Sequence, residues 1–507
     1  MKVIKFAILF ILTNLFFFIG CNNYYNNLYI EINGKNMSDP TITFFSIHPD
    51  ENTDLEEEIE GRINNKTNEI IIIAPVGSGL SNSEINPRFS AEGLVYVNGK
   101  IQKSGIDSHI YDASLKYDVV SANEMNRKTY TVTILEHNSK IFVNHLASGS
   151  GDGSSWEDAF SDLKQAFELA ALFPDSKLKE IWIAAGEYKP STENNTEDYF
   201  LLSANTNYVG GFAGNEVDIR YRDIPAYKTI ISGDLGNGQF SHNLLGNFDG
   251  NIINIINENI TFDGIEFINA NAASAAGIRG QGAAISISLA PGASLNITNC
   301  SFINLDGGAV FVLDGNMVLT NSVFQNITTG ENFGAVCIYG ESAEVTGVNF
   351  KDITGGALSI SCSKIIIDNA EFKNITGVNE GANNQALYIN ASESAEIKNV
   401  TIDGVTNGRG IYAVSYNYIL ITESEIKNCA ITGHGGGIYL NNFGQAEISY
   451  SGFSDMTAVI GGSIFYIGNN DVYNSTLLLI NIKYDSSVIY HLPHPQMHLI
   501  GDNITVR

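Results

Sequence analysis

The sequence predicts an all-β protein: a right-handed parallel β-helix, a single-stranded solenoid, preceded by a small β-sandwich. Three observations lead there. One short phrase returns through the second half of the chain: Phe302-Ile303-Asn304-Leu305, Phe324-Gln325-Asn326-Ile327, Phe350-Lys351-Asp352-Ile353, Phe372-Lys373-Asn374-Ile375, then Ile402-Asp403-Gly404-Val405, Ile426-Lys427-Asn428-Cys429 and Phe453-Ser454-Asp455-Met456. Their leading residues stand 22, 26, 22, 30, 24 and 27 positions apart, the range in which one unit makes one turn of a solenoid and buries its apolar side against its neighbours. The phrases are followed by glycine-rich turns and short apolar segments, as in Gly307-Gly308-Ala309-Val310, Gly355-Gly356-Ala357-Leu358 and Gly436-Gly437-Ile438-Tyr439. Such segments are too short for helices and rich in β-favouring residues.

Each phrase reads as a corner of a coil. The Phe and the Leu or Ile three positions on flank an Asn or Asp, and a turn at that polar residue points both apolar groups inward. Parallel strands stack about 4.8 Å apart, so identical residues form columns along the axis, Phe on Phe inside and Asn on Asn at the bend. An earlier copy, Phe267-Ile268-Asn269-Ala270, extends the series backwards, and the phrases then span about 35–40 Å of rod at that spacing. Paired glycines fit where the backbone turns without room for a Cβ. Leucine-rich repeats share the length range, but their spaced leucines and helical backs are absent, and a propeller blade needs about 40 residues or more.

Ahead of the phrases, residues 155–172 read as an amphipathic helix with Phe160, Leu163, Phe167 and Ala170 on one face. Such a helix caps the open end of the solenoid, which otherwise exposes an unpaired strand edge and an apolar interior. The stretches around it are Gly149-Ser150-Gly151-Asp152-Gly153 with Trp156, Ile181-Trp182 with Gly186 and Tyr188, Tyr208-Val209-Gly210-Gly211-Phe212-Ala213-Gly214-Asn215-Glu216, and Ile231-Ser232-Gly233-Asp234. They resemble the opening of bacterial surface proteins that carry a pectate-lyase-like β-helix with polymorphic outer-membrane-protein-like repeats. The resemblance covers about 145–500 and implies architecture; function has to come from the site.

The N-terminus begins Met1-Lys2-Val3-Ile4-Lys5, runs through apolar residues from Phe6 to Ile19 and reaches Gly20-Cys21. A basic start followed by a short apolar run reads as an export signal over 1–20 rather than a membrane span. Phe18-Ile19-Gly20-Cys21 resembles a lipoprotein processing site, with Phe18 where Leu is usual. The resemblance implies lipidation at Cys21 and stable anchoring through several acyl chains. Asn22 and Asn23 stand where an Asp would retain such a protein at the inner membrane, so the expected address is the outer membrane, facing the periplasm or the cell surface. Residues 21–40 read as the lipidated cysteine and an Asn- and Tyr-rich tether.

From 41 to 136, alternating segments at Thr41–Phe45, Ile70–Ile73, Leu94–Val97 and Thr129–Ile134 are broken by turn residues and read as a sandwich. Gly61-Arg62-Ile63, Asn98-Gly99 and Tyr117-Asp118-Val119-Val120-Ser121-Ala122 resemble phrases of the immunoglobulin-like repeats of bacterial exported proteins. The connection from Asn123 to Lys128 is longer than the short Asp-Gly turn usual there. Such a unit is expected to act as a spacer. The β-helix takes 137–507.

The chain carries 28 basic and 55 acidic residues for a net charge of −27, which disfavours nucleic acid and anionic membrane surfaces as partners. Apart from Cys21, the cysteines are Cys300, Cys337, Cys362 and Cys429. Aligning Gly334-Ala335-Val336-Cys337 with Gly356-Ala357-Leu358-Ser359 puts Ser359, not Cys362, beside Cys337, so a bond between the two cysteines is not expected. Cys429 takes the inward position of its phrase, and the set reads as buried thiols.

A polysaccharide lyase on this scaffold needs a Lys or Arg base and acidic ligands for Ca²⁺. From 281 to 480 the chain offers Arg409 as its single arginine, and Lys351, Lys373 and Lys427 read as a solvent-facing stripe. A hydrolase needs paired carboxylates, and the β-helical pectin hydrolases carry Asn-Thr-Asp, Asp-Asp, Gly-His-Gly and Arg-Ile-Lys signatures, of which this chain has Gly433-His434-Gly435 alone. Asp306, Asp314, Glu331, Asp352 and Asp403 are available to Ca²⁺, but no dense Asp-x-Asp loop gathers them. No cofactor or metal is therefore assigned. The expected role is non-enzymatic: an adhesin-like surface or envelope lipoprotein held in the membrane by lipid, its β-helix presented to a glycan or to a host or envelope protein. The alternative is a polysaccharide lyase or glycoside hydrolase, for which His434, Arg409 and Asp403 are the candidates. Arg409 and His434 stand 25 positions apart, so stacking of consecutive coils brings them to one side.

Overall fold

The computed structural model describes residues 39–500, apart from short segments at 53–54, 81–82, 112–113, 123, 174, 192, 250–251, 276–279, 331–333, 379–384, 443, 469–475, 485–488 and 492–495. The expected signal at 1–20, Cys21 and nearly all of the tether lie outside the described residues. The chain divides into two compact units, one made of residues up to 138 with 172–174, the other of 139–171 and 175 onward.

The first unit is a small β-sandwich. A three-stranded antiparallel sheet has Ile42–Ile47 between Ile59–Glu60 and Pro87–Ala91, and a six-stranded sheet runs Arg62–Asn64, Glu69–Ala74, Arg127–Glu136, Ser114–Val120, Leu94–Val97, Lys100–Ile101. Alternation decides which side chains meet: Ile70, Ile72, Val95, Val97, Tyr117, Val119, Tyr130 and Val132 are buried against Ile42, Phe45 and Ile47. The long hairpin closes at Val120 opposite Arg127.

The second unit is a right-handed parallel β-helix with three strands to a coil. In the coil of Phe302 these are Ile285–Leu289, Ser294–Thr298 and Ser301–Asp306, called here the A, B and C strands. Among the described residues, A and B strands of successive coils join one 23-stranded sheet and C strands an 11-stranded sheet. The phrase sits on the C strand. Phe267, Phe302, Phe324, Phe350 and Phe372 pair in strict register and stack with centroids 4.9, 4.6, 4.7 and 5.0 Å apart and ring planes within 16° of parallel. Strand spacing sets that distance, so burial and ring contact act at the same place.

The corner is as sharp as the phrase requires. Asn269, Asn304, Asn326, Asp352, Asn374, Asn428 and Asp455 all have φ between 55° and 57°, and Gly404 completes the column. Asn and Gly tolerate this left-handed region best, which is why they recur there. The side chains ladder outside the coil: Asn304 Nδ2 donates to Asn269 Oδ1 at 3.3 Å, Asn326 Nδ2 to Asn304 Oδ1 at 3.2 Å, and Asn374 Nδ2 to Asp352 Oδ1 at 2.8 Å. A second left-handed corner, between B and C strands, goes beyond the sequence expectation. It holds Asn299, Asn321, Asn369 and Asn399, with Gly347, Glu423 and Tyr450 at the same position of other coils.

The capping helix is shorter than the 155–172 expected: it spans Leu163–Ala170, with Leu163, Ala166, Phe167 and Ala170 buried. Asp162 caps it, its carboxylate accepting from the Lys164 backbone at 2.9 Å. Upstream, the Ser155 hydroxyl donates to the Asp158 carboxylate and accepts from the Asp158 backbone N–H, a local pairing that competes with helix formation, and Phe160 pairs in a parallel bridge with Val143. Phe167 covers the interior of the first coils, stacking on Tyr208 at 4.6 Å and meeting Phe200 at 5.1 Å with the rings tilted by 30°. The motif ending in Glu216 is also architectural. The Glu216 carboxylate accepts backbone N–H groups of Ala213, Gly214 and Asn215 at 2.6, 3.0 and 3.0 Å, and its carbonyl accepts from Trp156 Nε1 at 2.8 Å. Trp156 then packs among Phe142, Trp182 and Phe212.

Phe350→Ala is expected to destabilise the β-helix by about 3–5 kcal/mol in chemical denaturation, because its neighbours in the column cannot close the void. At the corner, Asn374→Ala is expected to lower stability by about 1–2 kcal/mol while Asn374→Gly is tolerated, since only alanine pays the left-handed penalty.

Candidate functional site: a tyrosine lane on the outer face of the A strands

The A strands point alternate residues out of the coil, and strand register places these in columns. One column runs Phe311, Cys337, Ser359, Tyr388, Tyr412, Tyr439, Phe465. Its first half is covered: Phe311 and Cys337 are buried beneath Phe248 and Ile253, with Tyr199, Leu313 and Tyr339 packed alongside. Phe248 and Ile253 face each other across a small antiparallel hairpin, pinned by Tyr199, whose hydroxyl donates to the Phe248 carbonyl at 3.1 Å. In the second half, Tyr388, Tyr412 and Tyr439 are partly exposed. Their rings stack at 5.5 and 4.8 Å, with planes 16° and 3° apart. The faces are occupied by one another, so the lane presents ring edges and hydroxyls. Two residues further along each strand, Asn390, Val414 and Asn441 form the adjoining outward column, also partly exposed.

Arg409 organises the centre of this lane. It follows the C strand Thr401–Thr406 in the turn that leads to Ile411–Ser415, and its side chain is nearly buried, at 8% exposure. Its backbone N–H donates to Gln385 Oε1 at 2.6 Å and its Nε to the His434 carbonyl at 2.7 Å, joining the turns of three consecutive coils. The guanidinium lies 4.9 Å from the Tyr439 ring and 5.5 Å from Tyr412, a cation–π arrangement. The His434 ring stacks on Phe465 at 4.9 Å and 16°, and its buried Nδ1 has no hydrogen-bond partner among the described residues. Burial raises the phenols of Tyr388 and Tyr439 above the ordinary value of 10, with Arg409 opposing the rise at Tyr439. Both are therefore neutral donors at physiological pH.

The structure thus brings Arg409 and His434 together and gives Asp403 other company. Asp403 lies on the outer face of the C strand, accepting from Asn428 Nδ2 at 2.7 Å, with Lys427 Nζ at 3.8 Å. Lys351 and Lys373 pair in the same outward column and are exposed. Glu331 lies outside the described residues, and Asp352 belongs to the corner ladder. Among the described residues, no group of three or more His, Cys, Asp or Glu side chains is arranged to hold a metal ion. Cys300, Cys337, Cys362 and Cys429 are free and buried, and Cys337 pairs with Ser359 as the alignment of turns required.

The lane tyrosines are not among the candidates that the sequence singles out, although it carries a signal for them. Leu387-Tyr388, Ile411-Tyr412 and Ile438-Tyr439 repeat an inward–outward pair at 24 and 27 positions, the coil period itself. No family model, no curated protein and no solved structure matches this chain.

Burial pushes the Cys300 and Cys429 thiols up to about 12 from an ordinary value of 9. The folded state keeps these protons where the unfolded chain loses them, so stability falls as pH rises from about 9 towards about 12. Urea midpoints should decline over that window, less steeply in Cys300→Ala/Cys429→Ala, and thiol reagents should label neither residue until the protein unfolds.

Proposed function

We propose that this chain is a non-enzymatic, lipid-anchored envelope protein whose β-helix binds a neutral glycan along the Tyr388–Tyr412–Tyr439 lane in an adhesin-like role. The observation that carries this is the change of chemistry within one column. The covered half, around Phe311, Leu313, Cys337 and Tyr339, is apolar and takes the chain's own hairpin. The open half exposes three phenols, flanked in the adjoining column by the amides of Asn390 and Asn441 with Val414 between them, and is backed by Arg409. Aromatic edges interleaved with hydrogen-bonding groups suit a hydroxylated ligand better than an apolar protein segment. The coil rise is close to the length of one sugar residue in an extended chain, whereas same-face residues of a bound β-strand recur at about 6.8 Å. With a net charge of −27, a neutral polymer is favoured over a polyanion. The sandwich is read as an immunoglobulin-like spacer, and Cys21 as the site of lipid attachment on the outer membrane.

Full-length protein in detergent, tested against immobilised neutral and acidic glycans, is expected to bind neutral ones saturably. Tyr412→Ala should weaken that binding about tenfold or more, equivalent to about 1.4 kcal/mol, with unchanged circular dichroism. Preference for acidic glycans, or indifference to Tyr412→Ala, would contradict the lane. In a diderm host, Cys21→Ser is expected to abolish acylation and release the protein from the membrane fraction.

One observation favours a second reading, a carbohydrate-active lyase or hydrolase: the contact between Arg409 and the His434 turn, with His434 Nδ1 unpartnered among the described residues. Its test is the release of reducing ends or unsaturated products from the same glycans, lost in His434→Ala.

A further inference from the structure

We propose that the lane is closed at both ends and reads a short oligosaccharide or the terminus of a glycan chain, not the interior of a continuous polymer. This rests on the glycan reading above and adds a length limit to it.

Exposure changes sharply along this one column of residues in register. Three consecutive rungs, Tyr388, Tyr412 and Tyr439, reach solvent. The rung before Tyr388 is Ser359, which is buried, and before it come Cys337 and Phe311, covered by the hairpin residues Phe248 and Ile253. The rung after Tyr439 is Phe465, also buried, with the His434 ring stacked against it at 4.9 Å. A polymer lying along the axis would have to continue over one of these rungs, where Ser359 and Phe465 are themselves buried and Cys337 and Phe311 lie under the hairpin. Three rungs at about 4.8 Å make an open stretch of about 14 Å, room for about three sugar residues at roughly one per coil.

The two walls differ in kind. The hairpin side is an apolar cluster built from separate parts of the chain, and its removal would unmake a packed core. At the other wall the buried Phe465 ring is met by His434 at 4.9 Å and by Tyr439 of the lane itself at 5.1 Å. His434 sits between Gly433 and Gly435, and its backbone carbonyl, which Arg409 holds, is independent of the imidazole. Replacing His434 by glycine therefore removes one ring of this wall and leaves the Arg409 contact in place.

The test is calorimetric titration of the full-length protein in detergent with cello-, xylo-, manno- and chito-oligosaccharides, each from disaccharide to octasaccharide. In the series that binds, affinity is expected to rise about tenfold per residue, about 1.4 kcal/mol, up to about the trisaccharide, and then to change less than about twofold. His434→Gly should move that plateau one residue longer. With the matching polymer, the number of sites per unit mass should increase as the polymer is sheared, because chain ends are being counted. Affinity that keeps rising to the octasaccharide, or site density independent of chain length, would overturn the closed lane and leave the glycan reading standing. Failure of every series and every parent polymer to bind would overturn both. Because the length series is read on the unaltered protein, misfolding of His434→Gly would not blunt the test.

Discussion

The structure depends on keeping parallel strands in register from coil to coil, and the left-handed corner residue is what enforces it. A parallel ladder has no hairpin to fix its pairing, so a slip of one residue would turn every inward side chain outward. Here the C strands of the phrases pass through an Asn or Asp at φ near 56°, or through Gly404 at 84°, with a buried Phe or Ile before it and a buried aliphatic or Cys after it in most coils. The corner fits one register alone, because only there do ring, amide and aliphatic columns all coincide. The Phe stack and the Asn ladder are two readings of the same constraint, one on the dry side of the backbone and one on the wet side.

That constraint also explains how the outer face can carry a site. Once the inward residues are fixed, outward residues of successive coils are held at the strand spacing whether or not they attract one another. Tyr388, Tyr412 and Tyr439 inherit their alignment from Leu387, Ile411 and Ile438, which are fully buried. A ligand would meet hydroxyls already placed at fixed intervals, with little side-chain entropy left to lose on binding. Arg409 adds rigidity across the coils, where the turns differ in length and the strands alone do not tie them together.

Much of the fold is legible in the sequence because corner geometry restricts residue type. Phe350-Lys351-Asp352-Ile353 reads as a turn with two inward groups from its residue types alone, and register follows from stacking such phrases. The second corner escapes that reading because its occupants vary: Glu423 and Tyr450 take the same left-handed backbone as Asn299, so no constant letter marks it. The capping helix is shorter than its apolar spacing suggests because Phe160, which fits the helical face, serves in a strand-like bridge instead. The lane is hidden for a related reason: outward positions carry no packing requirement, and the repeat of a tyrosine at coil spacing stands out only once it is known which residues face out. Of the three candidate site residues, Arg409 and His434 converge because they occupy equivalent turns, whereas Asp403 sits on the C-strand face, where its alternation from Ile402 places it.

Hydrogen–deuterium exchange of the full-length protein with and without a saturating neutral glycan tests most directly whether this rigid ladder presents one localised binding surface. Protection confined to backbone amides of residues 385–442 and the turn around His434 is the predicted result. Protection spread evenly along the coils, or centred on the C-strand face around Lys351 and Lys373 or on the sandwich, would contradict it.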